Sequence, residues 1–358
     1  MKILFITAHK YLPQVYGGLQ TATHQLCLSF LERGHEVAVL ARLMPGGSFA
    51  LKSRMKMKMN EKILRHKVSR QMSFGYPVWY SWIPSGEIEY IAAKEKPDLI
   101  VVLAVESVRM ALAARPANIP VLMMLQDVEF KKHGGSFEDL GAVPCIANSH
   151  FTAEKYRHTY GVNPTVIYPF VSAENYRTKT TKENVTFINP VPVKGRDIAA
   201  EIARLCPDIP FSFIEGWPMP PEQRRELTQK LSTLPNVALL APQKDMRKIY
   251  GKCKILLVPS TWDEAYGMVA TEAQISGIPV VASARGGLPE AVGSGGVLLD
   301  PDGPIEDWVN AVRKLWQDDK YYAELSAAAL AYAQRPEMKL SYQVDAYERA
   351  LLAVCRKQ

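Results

Sequence analysis

Residues 260–292 read STWDEAYGMVATEAQISGIPVVASARGGLPEAV. Two glutamates, Glu264 and Glu272, stand eight positions apart around a small, flexible AYG. The apolar runs on either side, KILLVPS and IPVVAS, are short and rich in branched residues, the pattern of parallel strands buried on both faces. Glu264 therefore belongs to the loop at the carboxyl edge of a sheet. A helix starting near Gly267 puts Glu272 about a turn and a half further on. Open parallel sheets bind ligands at that edge. A ligand suited to two carboxylates and the helix start between them is the question this stretch poses.

The rest of the chain limits the answers. Its 358 residues suffice for two domains of ordinary size. The composition, 47% hydrophobic and 22% charged, is that of a globular protein without repeats. The longest apolar run, LIVVLAV at 99–105, is far too short to span a bilayer. MKILFITAHK reads as a first strand and not as a signal peptide. Five scattered cysteines, at 27, 145, 206, 253 and 355, show neither metal-ligand nor redox spacing, so reduced thiols in a cytoplasmic protein are expected. The formal charge of +7 is uneven, with +6 in residues 1–175. Residues 51–70, LKSRMKMKMNEKILRHKVSR, carry eight basic groups and one acidic. That run is either a solvated basic loop and strand edge or a surface for anionic lipid or a negatively charged acceptor. Met55, Met57 and Met59 alternate with lysines there, which predicts a strand with one apolar face.

Strand-like and helix-like runs alternate throughout. KILFIT, EVAVLA, DLIVVLA, VLMML and PCIANS make one series. A second begins after PTVIYPF, with NVTFIN, PFSFIEG, NVALLA, KILLVPS, IPVVAS and GGVLLD. This predicts an α/β fold of two doubly wound, Rossmann-like domains, residues 1–175 and 176–336. A final helix within 337–358 either caps its own domain or crosses back to the first.

Two loops share a place in the two series. YLPQVYGGLQTATHQL carries the adjacent Gly17 and Gly18 between the first strand and first helix, where backbone N–H groups can approach an anion closely. It lacks G-x-G-x-x-G spacing, so no dinucleotide fingerprint is present, and a plain tight turn accounts for it equally well. FINPVPVKGRD sets Lys194 at a helix start, a position suited to phosphate. Phosphates favour Lys, and sugar hydroxyls favour carboxylate acceptors. One ligand uses both: a nucleotide sugar.

Around Glu264 and Glu272 the chain resembles the E-x7-E region of family 4 retaining glycosyltransferases of the GT-B fold. The early YGG, the KG of residues 194–195, and IANSHFTAEKYRHTYGVNPTVIYPFV resemble the same family. The resemblance implies two domains facing each other across a cleft, with the acceptor on the N-terminal one and the nucleotide sugar on the C-terminal one. It implies that Glu272 holds ribose and Glu264 the donor sugar. The backbone of Ala265, Tyr266, Gly267, Met268 and Val269 would meet sugar and diphosphate. Lys194 would bind the diphosphate, and Gly17 and Gly18 would close on it. It also implies a UDP- or GDP-linked donor, a sugar or lipid-linked acceptor, no metal cofactor and no nucleic-acid partner.

Two positions depart from the family pattern. Asn189 stands where an Arg is usual, so Arg196 or Arg285 would have to supply a second cation. Gln126 stands before Asp127 where His-Asp is common. Gln cannot take a proton, but in retaining transfer the departing phosphate oxygen can accept it, leaving positioning and charge stabilisation to the protein. Asp300 and Asp302 read as capping residues and not as metal ligands. His9, His24, His133 and His150 read as structural or acceptor-facing. The aromatic run 74–83 reads as core or lid packing, or as a platform for a sugar face. Two alternatives stay open: a silent relative that only binds nucleotide sugar, and a sugar-nucleotide epimerase or phosphorylase on the same architecture.

Overall fold

The computed structural model of the protein describes residues 1–217 and 219–356. The last two positions of the 337–358 segment lie outside them. The chain forms two compact units, residues 1–170 with 340–358, and residues 171–339.

The first unit holds an eight-stranded sheet. Its strands are β1 (Lys2–Lys10), β2 (Glu36–Arg42), β3 (Val68–Gln71), β4 (Val78–Ser81), β5 (Leu99–Leu103), β6 (Val121–Leu125), β7 (Cys145–Ala147) and β8 (Thr165–Val166). They lie in the order β3-β4-β2-β1-β5-β6-β7-β8. All neighbours are parallel except the β3/β4 pair. Runs such as Ile3-Leu4-Phe5-Ile6 and Leu99-Ile100-Val101-Val102 are wholly buried because helices cover both faces. The aromatic run 74–83 joins this core, with Tyr76, Trp79 and Tyr80 all buried. Glu95 accepts from the Trp79 indole N–H at 2.8 Å. That removes the platform reading for these three rings.

The second unit holds six parallel strands: β9 (Asn184–Ile188), β10 (Phe211–Ile214), β11 (Val237–Leu240), β12 (Cys253–Val258), β13 (Val280–Ser283) and β14 (Gly296–Leu299). Their order is β11-β10-β9-β12-β13-β14. Strand β9 lies beside β12, from which it is separated by two strands in the chain, and their loops depart in opposite senses. That is the topological switch point where open α/β sheets leave a crevice. Lys194 follows β9, and Glu264 follows β12.

Three expectations are corrected. Residues 47–64 form a helix, Gly47–Leu64, and not a strand. Its buried positions Ala50, Ser53 and Met57 recur at helical spacing, whereas Met55 and Met59 are exposed. Met, Lys, Arg and Leu are good helix formers, and the Met-Lys alternation is incidental to the pattern. The first boundary falls at 170 and not 175. Tyr176 goes with the second unit, where its carbonyl accepts from Ser276 Oγ at 3.2 Å and Ser276 Oγ accepts from Thr178 N at 2.9 Å. The second boundary falls at 339 and not 336. The final helix, Leu340–Cys355, belongs to the first unit, tied by Arg33 to Glu348 and Asp345 at 2.6 Å each.

A helix and a strand here make different demands on the methionines. Met57→Ala should cost about 2–3 kcal/mol, the lower part of the range for emptying a buried Met site. Met55→Ala should stay within about 0.5 kcal/mol, as for an exposed position. Thermal unfolding of the two variants decides, and equal losses would restore the strand.

Candidate functional site

At the carboxyl ends of β9 and β12 the sequence brings opposite charges together. The Lys194 ammonium donates to Glu264 Oε1 at 2.6 Å, and both side chains are nearly buried. Ser260 Oγ donates to the same oxygen at 2.6 Å. Oε2 remains as the carboxylate's other acceptor. The ammonium also lies over two indole rings, 4.8 Å from Trp217 and 4.7 Å from Trp262. Gly195 allows the helix Arg196–Leu205 to start this close to β12, since a Cβ there would meet the Pro259 carbonyl oxygen at 1.8 Å.

The loop carrying Glu264 is braced from behind. Gly286 and Gly287 pack on it so tightly that a Cβ on Gly286 would lie 2.5 Å from Glu264 backbone atoms. The Gly287 N–H donates to the Glu264 carbonyl at 2.7 Å. Gly267 adopts a positive φ of 97° and caps the helix Met268–Gln274. The AYG and RGG of the opening stretch are thus one packed turn pair. The Tyr266 side chain turns inward, its hydroxyl 3.0 Å from Thr271 Oγ1, so only its backbone belongs to the site.

Glu272 lies within that helix and is buried. Its Oε2 accepts from the Tyr250 hydroxyl at 2.7 Å. Burial pushes its carboxyl up to about 7, against the opposing pull of the Tyr250 and Tyr176 hydroxyls.

Neither candidate replacement cation is unengaged. Arg196 is buried and bonded to Glu226 at 3.1 Å. Arg285 donates to the Thr261 carbonyl and to Asp302, each at 2.6 Å. Asn189 carries no charge to the site; its carboxamide holds a loop. It takes φ 61°, and its Oδ1 accepts from the Trp217 N–H at 2.6 Å. Asp300 does not cap a helix; its Oδ1 closes a turn by accepting from Asp302 N at 3.0 Å. No group of three or more His, Cys, Asp or Glu able to hold a metal ion occurs among the described residues.

In the first unit, Gln126 and Asp127 follow β6. Gln126 Oε1 is buried without a hydrogen-bond partner, and so is Asn148 Oδ1 after β7. Burial pushes the Asp127 carboxyl up to about 6. His133 is held between Ser107 Oγ at 2.7 Å and the Tyr156 hydroxyl at 2.8 Å. Burial lowers its pKa to about 4, so the ring is neutral at pH 7. His133 is a structural partner of the Asp127 loop. Gly17 is extended and starts the helix Gly18–Glu32, and a Cβ on it would lie 2.8 Å from Gln20 Oε1.

Lys194 and Glu264 thus come together, with Glu272 on the same helix-and-loop segment. Gln126, Asp127, Gly17 and Gly18 belong to the other unit. Sequence reading passed over Ser260, Trp262 and Trp217. Two of them stand inside the quoted stretch, within four residues of Glu264.

Family models match both halves of the chain: "Glycosyltransferase Family 4" over residues 16–175 and "Glycosyl transferases group 1" over residues 201–331. Among curated relatives, a D-inositol 3-phosphate glycosyltransferase of Corynebacterium kroppenstedtii is 36% identical over 137 residues, 37% of this chain and 30% of the relative. That of Rhodococcus erythropolis is 31% identical over 218 residues, 53% and 49% of the two chains. The chain spans half or less of the length of these relatives. Among solved structures, Anabaena HepE in complex with UDP and glucose superposes with a TM-score of 0.77 at 21% identity, covering 99% of this chain and 100% of that one. Sucrose-phosphate synthase from Thermosynechococcus elongatus gives 0.75 at 16% identity, covering 100% of both. The two Rossmann-like units are those of the GT-B fold.

The raised Glu272 carboxyl makes a test of the buried site. Between the ordinary glutamate value near 4.5 and about 7 the folded chain holds a proton that the unfolded chain has released. The Glu272 contribution to stability should therefore fall as pH rises through that window and level off above it. Glu272→Gln, which cannot titrate, should remove that decline, leaving the one from Asp127 opposed by the rise from His133, whose pKa burial lowers. Melting temperatures at pH 5, 6, 7 and 8 would show this, and an unchanged slope in the variant would refute the assignment.

Proposed function

We propose that this chain, which belongs to glycosyltransferase family 4 and has the GT-B fold, transfers a glycosyl group from a nucleotide diphosphate sugar to a hydroxyl acceptor. The observation that carries the reading is the Lys194–Glu264 pair at the switch point between β9 and β12. Lys194 takes the diphosphate, Glu264 the donor sugar through Oε2, and Glu272 the ribose hydroxyls through Oε1. The backbone of residues 265–269 lines the donor. Gln126, Asp127, Gly17 and Gly18 belong to the unit that serves the acceptor. The donor base is uracil or guanine.

The reaction retains configuration and uses no metal. The bond from the anomeric carbon to the diphosphate oxygen breaks, the acceptor oxygen bonds to that carbon on the same face, and its proton passes to the departing phosphate oxygen. Such a course asks the protein for charge stabilisation, not for a base, which suits Gln126. Lys194 opposes the negative charge that grows on the leaving group.

The helix Gly47–Leu64 supports a peripheral contact with anionic membrane on the cytoplasmic side. Leu51, Met55 and Met59 are exposed at i, i+4, i+8, beside Lys52, Arg54, Lys56, Lys58 and Lys62. No helix among the described residues is long and apolar enough to cross a membrane.

A panel of UDP- and GDP-sugars with sugar, inositol phosphate and lipid-linked acceptors tests the reading by release of nucleoside diphosphate. Lys194→Ala should lower kcat by about 10²-fold, as when one charge-stabilising donor is lost. Glu272→Ala should raise the donor KM more than it lowers kcat. Binding without turnover on any acceptor would favour the silent relative. Neutralising Lys52, Lys56, Lys58 and Lys62 together should weaken flotation with anionic vesicles and leave donor hydrolysis unchanged, since each charge contributes about 1 kcal/mol at such a surface. Equal flotation with neutral vesicles would dismiss the membrane contact.

A further inference from the structure

Trp217 is 44% exposed, yet its backbone is fixed by a specific local contact. Its N–H donates to Asn189 Oδ1 at 2.6 Å. Asn189 reaches it only by adopting a left-handed φ of 61°. Gly216 leaves the room, since a Cβ there would stand 2.3 Å from the same Asn189 oxygen. Local structure that specific, ending in an indole left partly in water, calls for a purpose other than burial.

The purpose lies under the ring. The Lys194 ammonium lies over both Trp217 and Trp262, 4.8 and 4.7 Å from ring centroids that are themselves 6.1 Å apart. The Trp262 indole N–H is buried and has no hydrogen-bond partner among the described residues. It is an unsatisfied donor next to a cation, an arrangement that an incoming anion would complete. A lysine on its flexible stem needs to be held. A carboxylate holds it but cancels its charge. Ring faces attract it through their quadrupole and leave the charge whole. When a diphosphate displaces Glu264 as the partner of Lys194, the rings keep the ammonium in place.

We infer that Trp217 and Trp262 are positioning residues that clamp the Lys194 ammonium for a diphosphate. Asn189 belongs to this clamp as the residue that aims Trp217. The inference rests on the donor-site reading above and deepens it by naming what holds Lys194 when a diphosphate takes the place of Glu264.

Calorimetric titration with UDP and GDP on the full chain, alongside melting temperature, tests it. Trp217→Leu should weaken the tighter-bound nucleotide by about 2- to 30-fold, the span of a cation–π contact from exposed to desolvated. Trp217→Phe, with a weaker face, should fall between. The melting temperature of the unliganded chain should hardly move, which a packing role would not allow. In a Lys194→Met background, Trp217→Leu should add little further loss. Wild-type affinity in Trp217→Leu would overturn the clamp alone, as would the same loss with and without the ammonium. A wild-type chain that binds neither UDP nor GDP would overturn the donor site and, with it, the clamp's purpose.

Discussion

The parallel pairing of β9 with β12 is the constraint on which the second unit turns. Register sets Val185 against Ile255 and Phe187 against Leu257. These four side chains are all buried in the core. Because the two strands are neighbours in space and not in sequence, the chain leaves one toward one edge and the other toward the opposite edge. Their carboxyl ends are therefore the place where two loops part and a crevice opens. Lys194 and Glu264 are brought within 2.6 Å by that geometry alone, seventy residues apart in the chain. The glycines follow from the same demand. Gly195, Gly286 and Gly287 stand where backbone must approach backbone more closely than a Cβ permits.

The alternation of apolar runs made the architecture legible. Parallel strands buried on both faces are written as continuous branched stretches, and LIVVL, VLMML and CKILLV show them without ambiguity. Where the signal was weaker, reading failed for identifiable reasons. In residues 51–70 a period of two in Met and Lys concealed a period of 3.6 in burial, because only Met57 of the three methionines faces inward. Strands β3 and β4 are four residues each and include Arg70 and Ser81, too short and mixed to announce themselves. The boundary at 170 escaped because the short helix Ala173–Tyr176 is placed by tertiary contacts to Ser276 and not by its own sequence.

The candidate site was legible where charge carries it. Lys194, Glu264 and Glu272 announce themselves as polar groups against apolar strands. Trp217 and Trp262 did not, because an aromatic residue beside a strand reads as core until its neighbours are known. Asn189 was read as a cation lost. In the structure its carboxamide aims an indole, a role visible only once Gly216 and Trp217 are folded back across the end of β10.

Charge is handled in two ways in this molecule. Glu264 is buried beside an ammonium and a hydroxyl, so its partner is supplied from within the unit. Glu272, buried, and Asp127, half-buried, have weaker support, and both carboxyls are pushed up, to about 7 and about 6. A chain selected for stability alone would replace such groups, since an apolar side chain of similar shape avoids desolvating a carboxylate. Gln126 Oε1 and Asn148 Oδ1, buried without partners at the ends of β6 and β7, add to the same imbalance. Gln126 and Asn148 follow the carboxyl ends of β6 and β7, and Glu272 lies in the helix after β12. Ligand hydroxyls would supply the missing hydrogen bonds, favouring the charged carboxylates and releasing their protons. On the reading proposed above, these are the groups whose missing hydrogen bonds a polyhydroxylated ligand would complete.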